Sequence, residues 1–484
     1  MKHLYVKTMI LTVLMSMVGT RVMAYDYDVE KDGIYYNLNH TEMTAEVTYR
    51  DGVQLNSYSG DVIIPPTIKN GPYTYNVTSI GFWAFRRSSG LTSVVIPNSV
   101  TTIGNYAFSN CSNLTSVTMG RGVTSIDEWA FQNCNSLTKV IISDIAAWCA
   151  ISFKSVFSNP LFYAKHLYCD AETIITDLNI PDGVTTIGKY AFSNCSDLTS
   201  VTIANSVIEI RNSAFDGCSS LTSITIPSSV TSIGESVFWD CSSLTSVTFD
   251  QCVPTTFGTY VFNNTNLKDL YYPAYACDYF TTNRSLMSSP TLHPQIKIDR
   301  EWTTYCATAS FEVPEGIDAY VVKSYSDGVV TLKKVTTINE GQGLLLKPAS
   351  VGTFYDATLC ASTPGAYETN LLRGVTSATD ITATDGEYTN FIFTKVDDEI
   401  GFYPAKAGTI PAYKAYLQIP TASLPASALA RLSVVFEDGE TTSITPVRNN
   451  QKTSDEWYTL GGQRSTKPTE RGIYIHEGKK VIIK

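Results

Sequence analysis

Charge is the scarcest property of this 484-residue chain. Only 17% of its residues are charged, and acidic residues outnumber basic ones to give a formal net charge of −10. No segment gathers Lys and Arg into a basic stripe, which argues against nucleic acid and anionic lipid as partners. No segment after the N-terminus approaches the roughly 20 apolar residues that a membrane span needs. We therefore expect neither a nucleic-acid-binding protein nor a membrane-spanning one.

Residues that carry catalytic chemistry are also sparse. The chain has five histidines, and none has a partner at the spacing of zinc ligands. The G-x-S-x-G elbow, the P-loop and the dinucleotide fingerprint are all missing. Asp28 opens an acidic segment similar to a calcium loop, but its twelfth position is Asn39 in place of Glu. We predict no enzyme, no metal and no cofactor, although two distant carboxylates could still converge as in a glycosidase.

Cysteine does not occur before Cys111, so the N-terminal segment offers no site for lipoprotein acylation. A positively charged start is followed by an apolar run from Met9 to Val18, which is too short to cross a bilayer. Small or modest side chains follow, up to Ala24. This pattern is typical of a secretory signal peptide over residues 1–24, cleaved between Ala24 and Tyr25. We expect a secreted or cell-surface protein, located outside the outer membrane.

Internal repetition dominates the rest of the sequence. Each repeat contains a strand-like segment such as L-T-S-V-T-I, then V-T-S-I-G, then a small–aromatic pair such as Ala214-Phe215. A 23-residue turn cannot bury its own apolar face, whereas stacked turns form one continuous core. We predict a mainly β fold built on a leucine-rich solenoid of 23-residue repeats. Its leading leucines recur at one constant interval in two series: Leu91, Leu114 and Leu137, then Leu198, Leu221, Leu244 and Leu267.

The segment from Cys218 to Phe238 resembles the BspA-like (Treponema-type) leucine-rich repeat, and seven in-phase copies cover roughly Val77 to Pro273. The resemblance is to surface proteins of Bacteroidetes, and it implies adhesion to host matrix proteins or to other cells. We predict a secreted or surface adhesin whose solenoid binds an extracellular protein or a glycan. The alternatives are an accessory or catalytic component of extracellular glycan degradation, and a structural spacer of the surface layer.

The solvent face of the strands is the predicted ligand-binding surface. Polar side chains alternate there with inward Leu, Val and Ile, so they form hydroxyl ladders across the stacked turns. Ser and Thr also suit any solvated parallel sheet, and that reading is stronger for a single residue than for the whole surface. The candidate ligand-binding residues are Ser116, Thr118, Lys139, Ile141, Ser200, Thr202, Ser223, Thr225, Ser246, Thr248, Asp269 and Tyr271.

One interval breaks the period. The distance along the chain from Leu137 to Leu198 is more than twice the repeat length, so this interval contains an inserted segment. The insertion is aromatic and includes Ala147-Trp148-Cys149 and the run from Asn159 to Tyr163. Either these aromatics fill a wider turn of the core, or they form a protruding binding element; buried aromatics are the commoner use.

A cysteine closes most turns of the repeat. Stacking places neighbouring cysteines about 5 Å apart, a separation that disulfide geometry tolerates. However, the side chains of a ladder point in parallel and not toward one another, which disfavours a disulfide. The position also requires a small apolar residue, so we predict free buried thiols. The column comprises Cys111, Cys134, Cys195, Cys218 and Cys241.

The remaining segments define the domain organisation. Residues 25–76 are the expected N-terminal cap of a solenoid that occupies residues 77–293. In residues 294–440, short apolar runs separated by turns predict a β-sandwich-like domain. Residues 441–454 form a polar linker, and residues 455–484 a small β tail.

The tail contains three strand-like runs, at Trp457 to Arg464, Gly472 to Ile475 and Lys480 to Lys484. It resembles the C-terminal sorting domain of type IX secretion substrates, which implies secretion machinery as a partner. The alternative is an accessory β-domain without a sorting role.

Overall fold

The computed structural model describes residues 28–50, 58–250, 253–282, 290–359, 370–396, 399–424 and 431–437, together with four strands between 457 and 483. The predicted signal peptide with its Ala24–Tyr25 cleavage site, and the predicted linker, lie outside the described residues. The chain divides into two units. One runs to Arg300 and includes Ala307–Gly316 and Ser350–Ala361; the other holds Glu301–Cys306, Ile317–Ala349 and the chain from Ser362. The domain boundaries drawn from the sequence stay a prediction.

The segment before the repeats adds antiparallel strands to the first turn. In the sheet order β1-β2-β3-β6, strands β1 to β3 pair antiparallel, β3 and β6 pair in parallel, and β5 pairs with β6. Tyr36, Val47 and Val77 of this segment are fully buried. These strands are β1 (Val29–Lys31), β2 (Ile34–Asn39), β3 (Thr44–Thr48), β4 (Ser59–Ile63), β5 (Thr67–Asn70) and β6 (Tyr73–Ile80).

Each regular repeat then supplies one longer strand and one strand of two residues, as in Ser223–Ile226 and Ser232–Ile233. The elements are β7 (Gly90–Val95), β8 (Thr102–Ile103), β9 (Ser116–Met119), β10 (Ser125–Ile126), β11 (Lys139–Ile142), α1 (Ile145–Cys149), β12 (Ser152–Phe153), a 3-10 turn (Val156–Ser158), α2 (Leu161–Ala164), β13 (Leu167–Tyr168), β14 (Asp177–Ile180), β15 (Thr186–Ile187), β16 (Ser200–Ile203), β17 (Glu209–Ile210), β18 (Ser223–Ile226), β19 (Ser232–Ile233), β20 (Ser246–Phe249), β21 (Thr256–Phe257), β22 (Asp269–Pro273), a 3-10 turn (Ala274–Ala276), α3 (Cys277–Thr282) and β23 (Thr291–Lys297).

These strands form a β-solenoid of about nine turns, as the sequence period predicts. The longer strands pair in parallel, and pairs such as Ser223↔Ser246 join equivalent positions of successive repeats. The shorter strands stack in parallel in the same way, as in Ser125↔Thr102. One continuous apolar core extends from Ile34 to Phe280. Residues one repeat apart in the sequence therefore lie at equivalent positions of neighbouring rungs.

The aromatic residue of each small–aromatic pair forms a buried stack along the core. Phe192, Phe215 and Phe238 are fully buried, and their ring centroids are 5.4 and 5.6 Å apart at interplanar angles of 12° and 6°. The preceding residue is Ala or Val and is fully buried as well, as at Ala214 and Val237. A small residue here leaves room for the ring.

The cysteine column lies beside this stack. The Sγ atoms of Cys111, Cys134, Cys218 and Cys241 each donate to the carbonyl of a phenylalanine of the preceding turn, at 2.9 to 3.3 Å. Burial raises the pKa of the Cys134 thiol to about 12. All eight cysteines whose side chains are described are free. These contacts agree with the reduced, buried thiols that the motif predicts.

A left-handed residue follows each phenylalanine by two positions. Asn110, Asn133 and Asn194 have φ of 62°, 61° and 63°, and Gly217 has φ of 75°. Asn and Gly tolerate this conformation better than other residues do. The recurrence of Asn, Asp and Gly there reflects the sharp turn that leads into the cysteine.

The long interval between Leu137 and Leu198 folds into a wider turn of the core. Trp148 is 1% exposed and its Nε1 donates to the carbonyl of Ala191 at 2.7 Å. Asn159 is fully buried and its amide donates to the Tyr190 carbonyl at 2.7 Å. The contacts support the filled-core reading of this segment over a protruding element.

The second unit contains two five-stranded sheets that share one core. One sheet pairs Thr303–Cys306, Gly343–Pro348, Ile317–Ser326, Val329–Val335 and Ser433–Phe436 in that order. The other pairs Leu372–Val375, Lys414–Pro420, Tyr388–Val396 and Thr384–Asp385 in that order, with Glu399–Pro404 paired to Tyr388–Val396. Trp302, Tyr320 and Leu345 of the first sheet and its flank pack in one cluster with Phe391 and Leu417 of the second. Two sheets around a common core form the sandwich that the sequence predicts.

The strands after the solenoid are β24 (Thr303–Cys306), β25 (Phe311–Glu312), β26 (Ile317–Ser326), β27 (Val329–Val335), β28 (Thr337–Ile338), β29 (Gly343–Pro348), β30 (Phe354–Asp356), β31 (Thr358–Leu359), β32 (Leu372–Val375), β33 (Thr379–Ile381), β34 (Thr384–Asp385), β35 (Tyr388–Val396), β36 (Glu399–Pro404), β37 (Gly408–Ile410), β38 (Lys414–Pro420) and β39 (Ser433–Phe436), with a 3-10 turn at Thr421–Ser423. Strands β25, β30 and β31 belong to the first unit, where β30 pairs with β23 and β31 with β25.

The described residues of the tail form four strands where the sequence analysis expects three. They are β40 (Trp457–Thr459), β41 (Arg464–Ser465), β42 (Gly472–His476) and β43 (Lys479–Ile483), paired antiparallel in the order β41-β40-β42-β43. The run from Trp457 to Arg464, expected as one strand, contributes to two strands, β40 and β41, which pair antiparallel. Among the described residues, no helix is long and apolar enough to cross a membrane.

Candidate binding surface

The longer strands of the solenoid present alternate side chains to solvent. In β18, Ile224 and Ile226 are buried, whereas Ser223 and Thr225 are exposed. The alternation follows from the period of two in a strand, with the apolar residues turned into the core. Because the turns stack in register, outward residues from successive turns form two rows that run across the strands, and we call these two rows the outward face.

The first row of the outward face consists of residues that pair across successive strands: Asp61, Ser93, Ser116 and Lys139; then Asp177 and Ser200; then Ser223, Ser246, Asp269 and Thr291. The second row lies two positions further along each strand: Ile63, Val95, Thr118, Ile141 and Tyr168; then Asn179 and Thr202; then Thr225, Thr248, Tyr271 and His293.

All twelve sequence-predicted residues lie on this face, but in three groups. The ladder is paired from β4 to β13, again between β14 and β16, and again from β18 to β30. The first four predicted residues belong to the first segment, Ser200 and Thr202 to the second, and the other six to the third. Their role in binding stays a prediction.

The sequence analysis missed several members of the rows. Asp177 and Asn179 precede Ser200 and Thr202 by one repeat, so the repeat phase was sufficient to find them. His293 follows Tyr271 by slightly less than one repeat, and Asp61 precedes Ser93 by considerably more than one. At both ends of the solenoid the spacing departs from the repeat length, and the period therefore gives no signal there.

Hydroxyl groups in the middle of the third segment are uncommitted. Within the described part of the chain, the side chains of Ser223, Thr225, Ser246 and Thr248 form no hydrogen bond to the protein. Each hydroxyl therefore retains a donor and an acceptor for a ligand. Four such groups in two adjacent rungs form a flat polar patch.

The acidic positions differ from this patch because their carboxylates already accept hydrogen bonds. Asp61 accepts from Ser93 at 2.6 Å and from Thr92 at 2.7 Å. These bonds hold the pKa of the Asp61 carboxyl below its usual range. Asp177 accepts from Ser200 at 2.6 Å.

Aromatic and charged side chains are paired toward the end of the third segment. The His293 Nε2 atom lies 2.8 Å from Asp269 Oδ1, and the His293 ring stacks on Tyr271 at 4.6 Å with an interplanar angle of 19°. In the first segment the Lys139 ammonium lies 4.6 Å from the centroid of the Tyr168 ring. The outward face therefore combines hydroxyl, carboxylate and aromatic groups, the mixture that protein and glycan ligands both contact.

The described residues contain no group of three or more His, Cys, Asp or Glu side chains placed to hold a metal ion. Asp28, which opens the segment similar to a calcium loop, accepts a hydrogen bond from the Leu38 backbone at 2.5 Å. His40 forms a side-chain hydrogen bond with Tyr75, and His166 forms one with Asp197.

The repeated leucine, the parallel rungs and the phenylalanine stack define the first unit as a leucine-rich-repeat solenoid. Residues 67–159 and 166–283 match the profile of the BspA type leucine rich repeat region, in six copies. This match identifies the repeats as BspA-type repeats, as the sequence motifs indicate.

Solved structures of leucine-rich repeat proteins are similar to this chain. One, a leucine-rich repeat protein from Bacteroides ovatus ATCC 8483, is 25% identical, with 55% of this chain and 76% of that chain covered and a TM-score of 0.33. A leucine rich cell surface protein from Faecalibacterium prausnitzii A2-165 is 24% identical, with 53% and 72% covered and a TM-score of 0.32. A leucine rich repeat protein from T. pallidum is 24% identical, with 49% and 88% covered and a TM-score of 0.29. No curated protein sequence matches the chain.

Proposed function

We propose that this protein is a secreted or cell-surface adhesin without enzymatic activity, and that its outward face binds an extracellular protein or a glycan. The observation that carries the proposal is the patch of uncommitted hydroxyls on Ser223, Thr225, Ser246 and Thr248. Solenoids use extended faces of this kind as binding surfaces, because each turn adds one rung to the same flat array. The BspA-type repeats support the same conclusion, since they are typical of protein-binding surface proteins.

The aromatic and charged groups at the edge of the patch extend this surface. Tyr271 and His293 present a stacked pair beginning one rung beyond Thr248, and such rings contribute large contact areas at little entropic cost. We propose that the patch and this pair form one contact area. The ligand would then span the rungs from β18 to β23.

A binding screen of the mature full-length protein tests the proposal. Immobilised matrix proteins, mucins and glycans are presented to the wild-type chain and to a Thr225→Glu, Thr248→Glu double variant. A matched control carries Asn205→Glu and Ser228→Glu, which lie outside the strands and add the same charge at the same one-repeat spacing. We expect at least a tenfold loss of affinity for the outward-face variant only.

Two results would contradict the proposal. Equal binding of both double variants to the selected ligand would remove the outward face as the site. Turnover of a glycan by the purified protein would favour the alternative, a component of extracellular glycan degradation.

The export of the protein is part of the same proposal. The N-terminal segment has the features of a signal peptide, and the four-stranded tail resembles a type IX sorting domain. We propose that the first directs the chain out of the cytoplasm and that the second engages the secretion machinery.

A further inference from the structure

The shorter strands of the solenoid form two separate sheets. Strand β12 is the last strand of the first, in the order β6-β8-β10-β12, and β15 is the first strand of the second, in the order β15-β17-β19-β21. No backbone hydrogen bond joins Ser152–Phe153 to Thr186–Ile187 within the continuously described residues 58–250. We call the space between these two strands the open rung.

In the other turns, neighbouring short strands satisfy each other's backbone groups. Thr124 and Ser125 donate to the Thr101 carbonyl at 2.8 and 3.3 Å, and Ile208 and Glu209 donate to the Thr185 carbonyl at 2.8 and 3.2 Å. The equivalent donors at β15 are the N–H groups of Thr185, which precedes the strand, and of Thr186, its first residue. Neither of them has a bonding partner in the stretch from 58 to 250.

The opposite wall of the open rung presents acceptors. Ser152 and Lys154 donate to the carbonyls of Thr124 and Ile126 at 2.9 and 3.1 Å, and so they complete the preceding rung. The carbonyls that would repeat this role are those of residues 151 and 153, and no N–H group within residues 58–250 donates to them. One wall therefore offers two donors and the other two acceptors, which is the arrangement that an added parallel strand needs.

The cause of the gap is local. Helix α1 precedes β12, and the N–H of Gly188 donates to Cys149 at the end of this helix, at 2.9 Å. In a regular turn the equivalent glycine bonds to the preceding short strand, as Gly104 does to Ile80 at 2.8 Å. The bond to Cys149 closes one end of the open rung, while β12 and β15 remain unpaired with each other.

The open rung forms a solvent-open pocket of about 540 Å³, which lies within the roughly 300–1,000 Å³ range of ligand pockets. Its apolar lining includes Ile151, Phe153 and Val184. Lys189 and Arg211 are its only charged lining residues. In a chain with a net charge of −10, two cations at one cavity indicate an anionic partner. Glu209 neutralises part of this charge, since it contacts the Arg211 Nε at 3.0 Å.

We propose that the open rung binds an extended peptide segment of another protein that carries an acidic side chain, and that the segment pairs with the backbone of β12 and β15. Recognition of an extended peptide by a free strand edge supplies affinity through main-chain hydrogen bonds and specificity through side-chain pockets. Here the apolar lining accepts the inward side chains, and Lys189 and Arg211 bind the carboxylate. This site is separate from the outward face and does not depend on the function proposed above.

A fluorescent acetylated peptide of sequence TVEVTVT, measured by anisotropy with the mature full-length protein, tests the proposal. We expect saturable binding with a Kd below about 1 mM. A peptide with Lys in place of Glu, and a peptide N-methylated at alternate residues so that it cannot donate to the strand edges, should each bind at least tenfold more weakly. The first control tests the charge contact and the second tests the backbone pairing.

Protein variants complete the test. Lys189→Glu with Arg211→Glu should lower the affinity at least tenfold, whereas Lys69→Glu with Lys268→Glu, an equal charge change at exposed positions away from the cavity, should not. The Thr225→Glu, Thr248→Glu variant of the outward face should bind the peptide normally. Three outcomes would overturn the proposal: no binding at about 1 mM, equal binding of the N-methylated peptide, or binding of an anionic oligosaccharide at this site in place of the peptide.

Discussion

Removal of one ring from the phenylalanine stack should destabilise the solenoid strongly. Phe215 is fully buried, and it lies between Phe192 and Phe238 at centroid distances of 5.4 and 5.6 Å. A Phe→Ala change in a core typically costs about 3–5 kcal/mol in the free energy of unfolding. Each lost ring contact contributes about 0.5–1.5 kcal/mol beyond area burial. Because both neighbouring turns lose their contact, we expect a value toward the upper end of this range.

Thermal unfolding of Phe215→Ala, followed by far-UV circular dichroism, measures this effect. A loss of about 3–5 kcal/mol corresponds to a decrease in Tm of about 6–20 °C for a unit of this size. Hydrogen exchange should also accelerate first in the turns of Phe192 and Phe238, since each turn of a solenoid contacts only its neighbours.

Ile208→Ala is the matched control for this prediction. Ile208 is 51% exposed, so its truncation should change stability by no more than about 0.5 kcal/mol. Phe215→Leu preserves much of the buried volume and should cost less than Phe215→Ala. If Phe215→Ala melts at the same temperature as Ile208→Ala, the assignment of the ring to the core is wrong.

Three further predictions follow from the structure. Cys169 is the one exposed cysteine among those described, so a thiol reagent should label it rapidly in the native protein. Buried thiols such as Cys134 should be labelled only after unfolding. Peptide mass mapping measures the labelling, and disulfides in the unreduced protein would contradict the prediction. Burial, with a smaller contribution from Asp240, raises the pKa of the Asp216 carboxyl from 3.8 to about 6. Protonation of Asp216 therefore stabilises the folded state, and this contribution is fully present below pH 3.8 and is lost as the pH rises through about 6. Asp216→Asn should therefore raise Tm at about pH 7.5 and not at about pH 4, and an equal gain at both pH values would refute the cause. Deletion of residues 455–484 should leave the solenoid folded but retain the protein in the periplasm of a host with type IX machinery; normal surface display in fractionated cells would dismiss the sorting role.

The repeat period made most of the solenoid predictable. Leu221, Ile224 and Phe215 each recur at a fixed position within the repeat. Because the position within the repeat determines whether a side chain points inward or outward, the sequence period predicts both the core and the outward face. The same phase could not assign His293, whose spacing from Tyr271 is shorter than one repeat. The free thiols followed from a different argument, the size and polarity that the buried position requires.

The open rung was beyond the reach of the sequence for a physical reason. The long interval after Leu137 indicates that the phase is broken, but it does not indicate where the ladder of short strands separates. That outcome depends on two tertiary contacts, the bond from Gly188 to Cys149 and the bond from buried Trp148 to the Ala191 carbonyl. Contacts of this kind join residues separated by more than one repeat and leave no local pattern.

A stacked solenoid offers a ligand only two kinds of surface. Where stacking is regular, each rung covers the backbone of the preceding one, so a ligand meets side chains alone, as on the outward face. Where stacking fails, backbone N–H and carbonyl groups remain without partners, and a partner that supplies them gains hydrogen bonds that the protein itself does not make. We expect the first surface to tolerate many ligands, because Ser and Thr hydroxyls rotate to donate or accept. The second has fixed geometry, since residues 185 and 186 and residues 151 and 153 are held by the rungs behind them. We therefore expect the open rung to discriminate between partners by backbone conformation, and the outward face to discriminate by area and composition.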